Sequence, residues 1–282
     1  MIIDKEKDTV YFSEHIRTNY EFRSAFDRIK PILDKHQINY RFLSNTKDNW
    51  CRDYMPIQIS EDKFIQFRYE PSYLKNDLDL QSNSQDIIKH NGLKAENSSI
   101  NLDGGNVVNC TDKAILTTRV FKENPTWDQS ELIGELERLL NTQVLLIPDI
   151  TNDLTGHSDG HVRFINNSTL MVNELQNEYL YWKKGFERMI KNTGLTFVEM
   201  PWFEYQDKKH KHTAVGCYVN YLEIGDLILF PIFEVPRNKD EQALNVIQSV
   251  FPERIIEPIN INEIAKYGGL LNCATWTIKA LA

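Results

Sequence analysis

The 282-residue chain is short of several things, and each shortage narrows what it can be. Its four cysteines, Cys51, Cys110, Cys217 and Cys273, stand far apart with no C-x-x-C pair. That spacing argues against a zinc-cysteine site and against a disulfide framework, and it fits free thiols in a reducing compartment. There is no Lys/Arg-rich run, and the formal net charge is -8. Nucleic acid is therefore not expected as a partner, whereas a small cationic substrate would suit the balance. No apolar run approaches the length of a bilayer span, and Met1 to Asp8 has no apolar segment after its charges. A cytoplasmic protein with no membrane contact is expected. Low-complexity stretches and linkers are also missing, which favours one domain over residues 1–282.

What is present alternates short β-like runs with helical ones, the pattern of an α/β fold. Strands are expected at Thr9 to Phe12, Ile38 to Leu43, Val144 to Ile147, Leu170 to Val172, Leu195 to Met200, Val215 to Leu222 and Leu227 to Pro231. Hairpins are expected across Pro56 to Phe67 and Asn106 to Thr118. Helices are expected at Glu14 to Lys35, kinked or ended by Pro31, and at Ser84 to His90, Thr126 to Leu140, Glu174 to Lys191 and Asp240 to Val250. The recurring unit is two or three strands and a helix over about 50 to 60 residues, which makes five units in this length.

Five polar stretches stand out. In Tyr267-Gly-Gly-Leu-Leu-Asn-Cys-Ala-Thr-Trp276 the glycine pair allows a sharp reversal, Leu270-Leu271 reads as a brief buried strand, and Cys273 follows where a side chain can face a cleft. A free cysteine is more often a small buried hydrophobe than a nucleophile. Gly156-His-Ser-Asp-Gly-His-Val-Arg-Phe164 offers the base, acid and carboxylate that a thiol nucleophile needs. Asn49-Trp-Cys-Arg-Asp-Tyr-Met-Pro56 holds an Arg52-Asp53 pair that reads equally as a surface salt bridge over a packed Trp50. In Cys217-Tyr-Val-Asn-Tyr-Leu222, Asn220 interrupts a strand as a bulge or as a placed hydrogen-bonding group. Asn101-Leu-Asp-Gly-Gly-Asn106 taken alone is an ordinary turn. His157 and His161, with Asp159 between them, could also ligate a divalent metal, but further ligands would be needed. His210 and His212 lie in a charged run that reads as a solvated loop.

Taken together, WCRDYMP, LDGG, GHSDGHVRF, CYVNYL and GGLLNCAT resemble, in order and approximate separation, the agmatine deiminase and bacterial peptidyl-arginine deiminase family. The resemblance runs from about Trp50 to Thr275. It implies a guanidino-group-modifying enzyme with a five-bladed pseudo-symmetric α/β propeller, the pentein fold, of repeated ββαβ-type units. It further implies Cys273 as nucleophile, His157 as general acid and base, and Asp159 and Asp53 as the carboxylates gripping a guanidinium. Asn220, Asp103 and Trp50 complete the implied site; no cofactor or metal is implied, and a homodimer is suggested. Many agmatine deiminases have Glu at the position of Asp103 and His at that of Asn272, and a tryptophan-rich N-terminal segment that this chain lacks. These departures bear on the substrate more than on the chemistry.

The chemistry is coherent without the family. A guanidinium is planar and permanently charged, and paired carboxylates accept its N–H groups in matched fashion. A thiol with a reference pKa of about 8.5 needs an imidazole or the bound cation to ionise it. An imidazolium can then protonate departing ammonia, and the neutral ring can activate water. A small guanidine, agmatine first, is expected as the substrate. The alternatives are free or peptidyl arginine, amidino transfer to an amine, and a non-catalytic binding module. A free amino acid would need a clamp for its carboxylate, for which Arg68, Arg119 and Arg163 are candidates. The long connections Tyr69 to Ser99 and Pro201 to Thr213 are candidate lids.

Overall fold

Fifteen short strands form five separate sheets of three in the computed structural model, which describes residues 1–151 and 153–280. In chain order the strands are β1 Thr9–Ser13, β2 Asn39–Leu43, β3 Ile57–Gln58, β4 Phe64–Arg68, β5 Glu96–Asn101, β6 Val108–Asn109, β7 Lys113–Thr117, β8 Gln143–Ile147, β9 Val162–Asn166, β10 Thr169–Asn173, β11 Thr196–Met200, β12 Leu222–Ile224, β13 Leu227–Ile232, β14 Ile255–Asn260 and β15 Thr275–Ile278. The helices are α1 His15–Thr18, α2 Arg23–Lys35, α3 Cys51–Tyr54, α4 Ser84–His90, α5 Arg119–Glu123, α6 Gln129–Leu140, α7 Leu180–Thr193, α8 Asp240–Val250 and α9 Asn262–Ala265.

All five sheets repeat one plan. The orders are β15-β1-β2, β3-β4-β5, β6-β7-β8, β9-β10-β11 and β12-β13-β14. In each, the middle strand runs antiparallel to the first neighbour and parallel to the second. A parallel neighbour needs a crossover, and α2, α4, α5 with α6, α7 and α8 provide the five. The last strand, β15, completes the sheet of the first, β1.

The helices form where the sequence supplies a cap and an apolar stripe. For α6, the Asp128 carboxylate accepts from the backbone N–H groups of Ser130 and Glu131, and Leu132, Leu136, Leu139 and Leu140 bury one face. Burying each of those leucines is worth roughly 1.5–3 kcal/mol before entropy is counted. Trp182 and Phe186 of α7 stack and cover the β9-β10-β11 sheet, and Phe26, Ile29 and Leu33 of α2 pack into the same core as Phe12.

Several sequence expectations need correction. The helix expected from Glu14 to Lys35 is two, α1 and α2, and Pro31 neither ends nor replaces α2: it lies inside it on the exposed side, where its missing N–H is tolerated. Leu270 and Leu271 are buried but not a strand; their carbonyls are taken by the Ala274 N–H and the Thr275 hydroxyl in a tight turn ahead of β15. Val215 to Leu222 is not a strand either. Gly216 has φ +102°, and a Cβ there would sit 2.0 Å from the Phe203 carbonyl oxygen, so only β12 emerges after Asn220. Asn220 thus stands in a loop, not in a bulged strand. Strands β5, β9, β14 and β15 were not expected, and helices α6 and α7 start later than read, at Gln129 and Leu180.

Candidate active site

Four chain segments meet at one point: α3 with Trp50 before it, the turn Gly104–Asn106, the turn Ser158–Gly160, and the segment just ahead of β15. They carry every residue of the expected site except Asn220, which the loop before β12 supplies.

The His157 ring lies between two carboxylates. Nε2 is 2.8 Å from Asp103 Oδ2, and Nδ1 is 3.5 Å from Asp53 Oδ1. Burial alone would push the imidazole down, but Asp53, Asp103 and Asp159 more than reverse it, to about 10. At neutral pH His157 is therefore an imidazolium able to donate from both nitrogens. Asp53 shows the other side of the balance: burial pushes its carboxyl well up, against the pull of His157. The glycine pair of LDGG is what allows this approach. The Gly105 N–H donates to Asp53 Oδ1 at 3.1 Å, and a Cβ on Gly105 would fall 2.5 Å from that oxygen and 2.6 Å from His157 Nδ1. At Gly104 a Cβ would meet the Arg52 carbonyl oxygen at 2.1 Å. Asn106 then fixes the histidine turn, its Oδ1 accepting from the N–H groups of Thr117 and Ser158.

Cys273 is a partly exposed residue whose Sγ lies 3.5 Å from Asp159 Oδ2 and 3.4 Å from Asn220 Oδ1. The same Asn220 oxygen accepts the Cys273 N–H, and the Asn220 amide donates to the Asp159 carbonyl. Burial, then Asp159 and Asp53, push the thiol well up. Without a cation in the cleft it stays protonated. Among the described residues no hydrogen bond joins Cys273 to His157; the charges of Asp53 and Asp159 act on both. Trp50 is held by its N–H to Asp48 Oδ1 and by contact with Gly269, where a Cβ would lie 2.3 Å from the indole ring.

The structure overturns one alternative and separates another. Arg52 and Asp53 are not a surface pair: Asp53 is buried and points to Gly105 and His157, while Arg52 Nε donates to the Asn272 carbonyl. Among the described residues His157 and His161 share no hydrogen-bonded or ion-pair partner, since His161 turns to Asp153 at 3.3 Å and Glu178 at 3.9 Å. Of the three arginines considered for a carboxylate clamp, Arg68 pairs with Glu70, Arg119 with Glu123, and Arg163 with Asp4.

Tyr73 is the participant that sequence reasoning missed. It comes from the Tyr69–Ser99 connection, donates its hydroxyl to Asp103 Oδ2 at 3.0 Å and stands edge-on to His157. Nothing in its sequence surroundings distinguishes it, since its position depends on how a long connection folds back over the site. On the far side of Asp103 a small cavity is lined by Asn106, Arg119, Glu123, Thr155 and His157. The segments thus bring a protonated imidazole, buried acids and a thiol together.

Comparison with known proteins gives a family and a fold. The profile of the Porphyromonas-type peptidyl-arginine deiminases matches residues 4–278. An agmatine deiminase of Ectopseudomonas mendocina is 34% identical over 70 residues, 25% of this chain and 18% of that protein. The stretches matched in such curated relatives amount to between 16% and 18% of their length. In structure the chain superposes on substrate-bound C315S agmatine deiminase of C. jejuni with a TM-score of 0.79 at 14% identity, covering 100% of this chain and 96% of that one. Agmatine deiminase of Enterococcus faecalis gives 0.75 at 15% identity, covering 99% and 95%.

Proposed function

The chain belongs to the Porphyromonas-type peptidyl-arginine deiminase family, and from that premise we propose that it is a hydrolase of linear amidines that converts a small guanidine, agmatine foremost, to a ureido product and ammonia. The observation that carries this reading is that Asp53 and Asp159 act on both the Cys273 thiol, which has Asp159 and Asn220 at hydrogen-bond range, and the His157 imidazolium, which is held by Asp53 and Asp103.

In this scheme Asp53 and Asp159 accept the guanidinium N–H groups and set its plane against Cys273. The incoming positive charge offsets the two carboxylates that hold the thiol proton on, so the thiol ionises as substrate binds and releases its proton to solvent. The thiolate adds to the central carbon, forming the C–S bond. His157 gives its proton to one nitrogen, and the C–N bond breaks to release ammonia and leave a thiouronium. The now neutral His157 takes a proton from water, hydroxide adds to the carbon, and the C–S bond breaks to return the thiolate while the new hydroxyl loses its proton to solvent, leaving the neutral ureido product.

The preference for agmatine over arginine rests on charge. All three arginines that were candidates to hold an α-carboxylate are already paired to acids, whereas Asp48, half-buried near Asp103, is pushed up to about 7 by burial and has no cationic partner among the described residues. A second positive charge suits such a cleft, a carboxylate does not. We take the five like-ordered sheets as the blades of a five-bladed propeller and residues 1–282 as one catalytic domain. The four unpaired thiols suit a reducing, cytoplasmic setting.

The test is ammonia release from agmatine, arginine, an arginyl peptide and methylated arginines, with chelator present and Cys273→Ala as control. Chelator-resistant release, greatest with agmatine and reduced by about 10⁴-fold or more in Cys273→Ala, is expected. Full activity in Cys273→Ala would overturn the mechanism, and a preference for the peptide would overturn the substrate.

A further inference from the structure

Behind the candidate site a chain of buried polar groups runs away from Asp159 and ends on a segment with no place in the chemistry. Arg163, on β9, is 5% exposed and its guanidinium lies over the Tyr221 ring, 4.6 Å from the ring centre. Its Nη1 donates to the Tyr221 carbonyl and to Asn272 Oδ1, both at 3.0 Å, and its Nη2 pairs with Asp4 Oδ2 at 2.5 Å. Asp4 belongs to the short turn Asp4–Glu6 ahead of β1 and is shared with Lys7 at 2.7 Å. On the other side, Asn272 Nδ2 donates at 2.8 Å to Asp159 Oδ2, the same oxygen that faces Cys273 Sγ.

The direction of this chain is fixed by what each group can do. A guanidinium has only donors, so the atom of Asn272 that meets it must be the carbonyl oxygen. The Asn272 amide nitrogen is thereby turned toward Asp159 and cannot flip without setting donor against donor. Arg163 is itself held by three acceptors and an aromatic face, and an ionised group this deep stays only where such partners are fixed.

We infer that Asn272 and Arg163 are positioning residues for the guanidinium grip: Arg163, anchored on Asp4, sets the orientation of the Asn272 amide, and that amide holds the Asp159 carboxylate at the mouth of Cys273. The kinetic readout of this assignment rests on the deiminase reading; its structural readout does not.

Asn272→Asp separates positioning from mere structural support. An aspartate keeps, and strengthens, an acceptor for Arg163, so folding is retained, but it removes the donor to Asp159 and sets a like charge against it. The expected result is a KM for agmatine raised about tenfold or more, with the melting temperature within about 2 °C of the parent. Crystals of the substrate-free variant should show Asp159 turned away from Cys273. Asn272→His offers an acceptor to Arg163 and a donor to Asp159 on its two ring nitrogens and should stay within about threefold of the parent KM, whereas Asn272→Leu offers neither and should not. Asp4→Asn should raise KM by a smaller factor through Arg163. A parent-like KM with Asp159 unmoved in Asn272→Asp would overturn the assignment, as would equal KM values for the His and Leu variants if the Asp variant fails to fold. Should the parent turn over no guanidine at all, the deiminase reading falls, and the position of Asp159 in the variant crystals still decides the positioning role.

Discussion

At the residue scale, the protonation of His157 is set by its two flanking acids, and this has a measurable sign. Burial lowers the ring and the acids raise it to about 10, so the proton it would give to departing ammonia is lost only as pH rises through that value. Asp103→Asn removes the 2.8 Å charged partner of Nε2 while keeping an acceptor of similar shape. The basic limb of the kcat profile should therefore move down, by about one to two pH units. An unmoved basic limb would mean that a different group supplies the proton. Tyr73 should soften the effect, because its hydroxyl already donates to the same Asp103 oxygen. Asp103 thus both holds the imidazolium and is held by the connection that folds over the site.

At the element scale, the turns are what bring the acids together, and each is pinned by a distinct device. The approach of Gly104–Asn106 to α3 and His157 leaves no room for a side chain at 105. Gly105→Ala should displace Asp53 or His157 by a large fraction of an ångström and lower kcat/KM by about a hundredfold, with a folded protein by circular dichroism. Unchanged kcat/KM would show that the site tolerates that displacement. The His157 turn is secured from the other end by His161, which burial pushes down but Asp153 and Glu178 raise to about 9. Asp153 in turn accepts the Thr155 N–H, two residues before His157. For a raised histidine the stabilisation is full below the unfolded value near 6.5 and gone once pH passes about 9. His161→Gln should accordingly cost on the order of 2 kcal/mol at pH 6 and little at pH 9.5, read by urea unfolding at both. A pH-independent cost would assign the effect to packing against Trp182 instead.

These elements also explain what the sequence disclosed and what it did not. Both expected hairpins formed because alternating apolar residues flank short polar turns, and the apolar stripes of α6 and α8 are plain in the chain. Strand β5, Glu-Asn-Ser-Ser-Ile-Asn, carries little apolar periodicity and is a strand because β4 pairs with it. The site motifs were legible because the glycines, carboxylates, His157 and Cys273 lie in short strings whose chemistry needs them close. Tyr73 and Asp4 were not, because each reaches its partner across more than 25 positions, and a lone residue at that range leaves no local pattern; Arg163 stands inside one of the strings, but its partners Asn272 and Asp4 are equally distant, so in sequence it reads as a candidate carboxylate clamp.

For the whole molecule, the first sheet is the place where chain ends become one structure. Strand β1 is sandwiched between β2 and β15, with Thr9 to Phe12 paired to Thr275 to Ile278, and β15 begins two residues after Cys273. The lock on that closure is Trp276. It is 3% exposed, packs against Tyr11 and Phe64, and donates its indole N–H to the Pro56 carbonyl at 2.7 Å, tying the sheets of β1 and β3 together. Trp276→Ala should cost about 3–5 kcal/mol, since it leaves both a cavity and an unpaired buried carbonyl. Because the Cys273 segment runs directly into the same strand, the loss should not stay local. Cys273 is partly exposed but its thiol is pushed well up, and its alkylation by iodoacetamide should accelerate in Trp276→Ala at denaturant concentrations where the parent still reacts slowly, along the same curve as the loss of tertiary signal. If instead Cys273 became reactive well before the global transition, closure of the first sheet would be a local event, and the five sheets would not unfold as one cooperative unit.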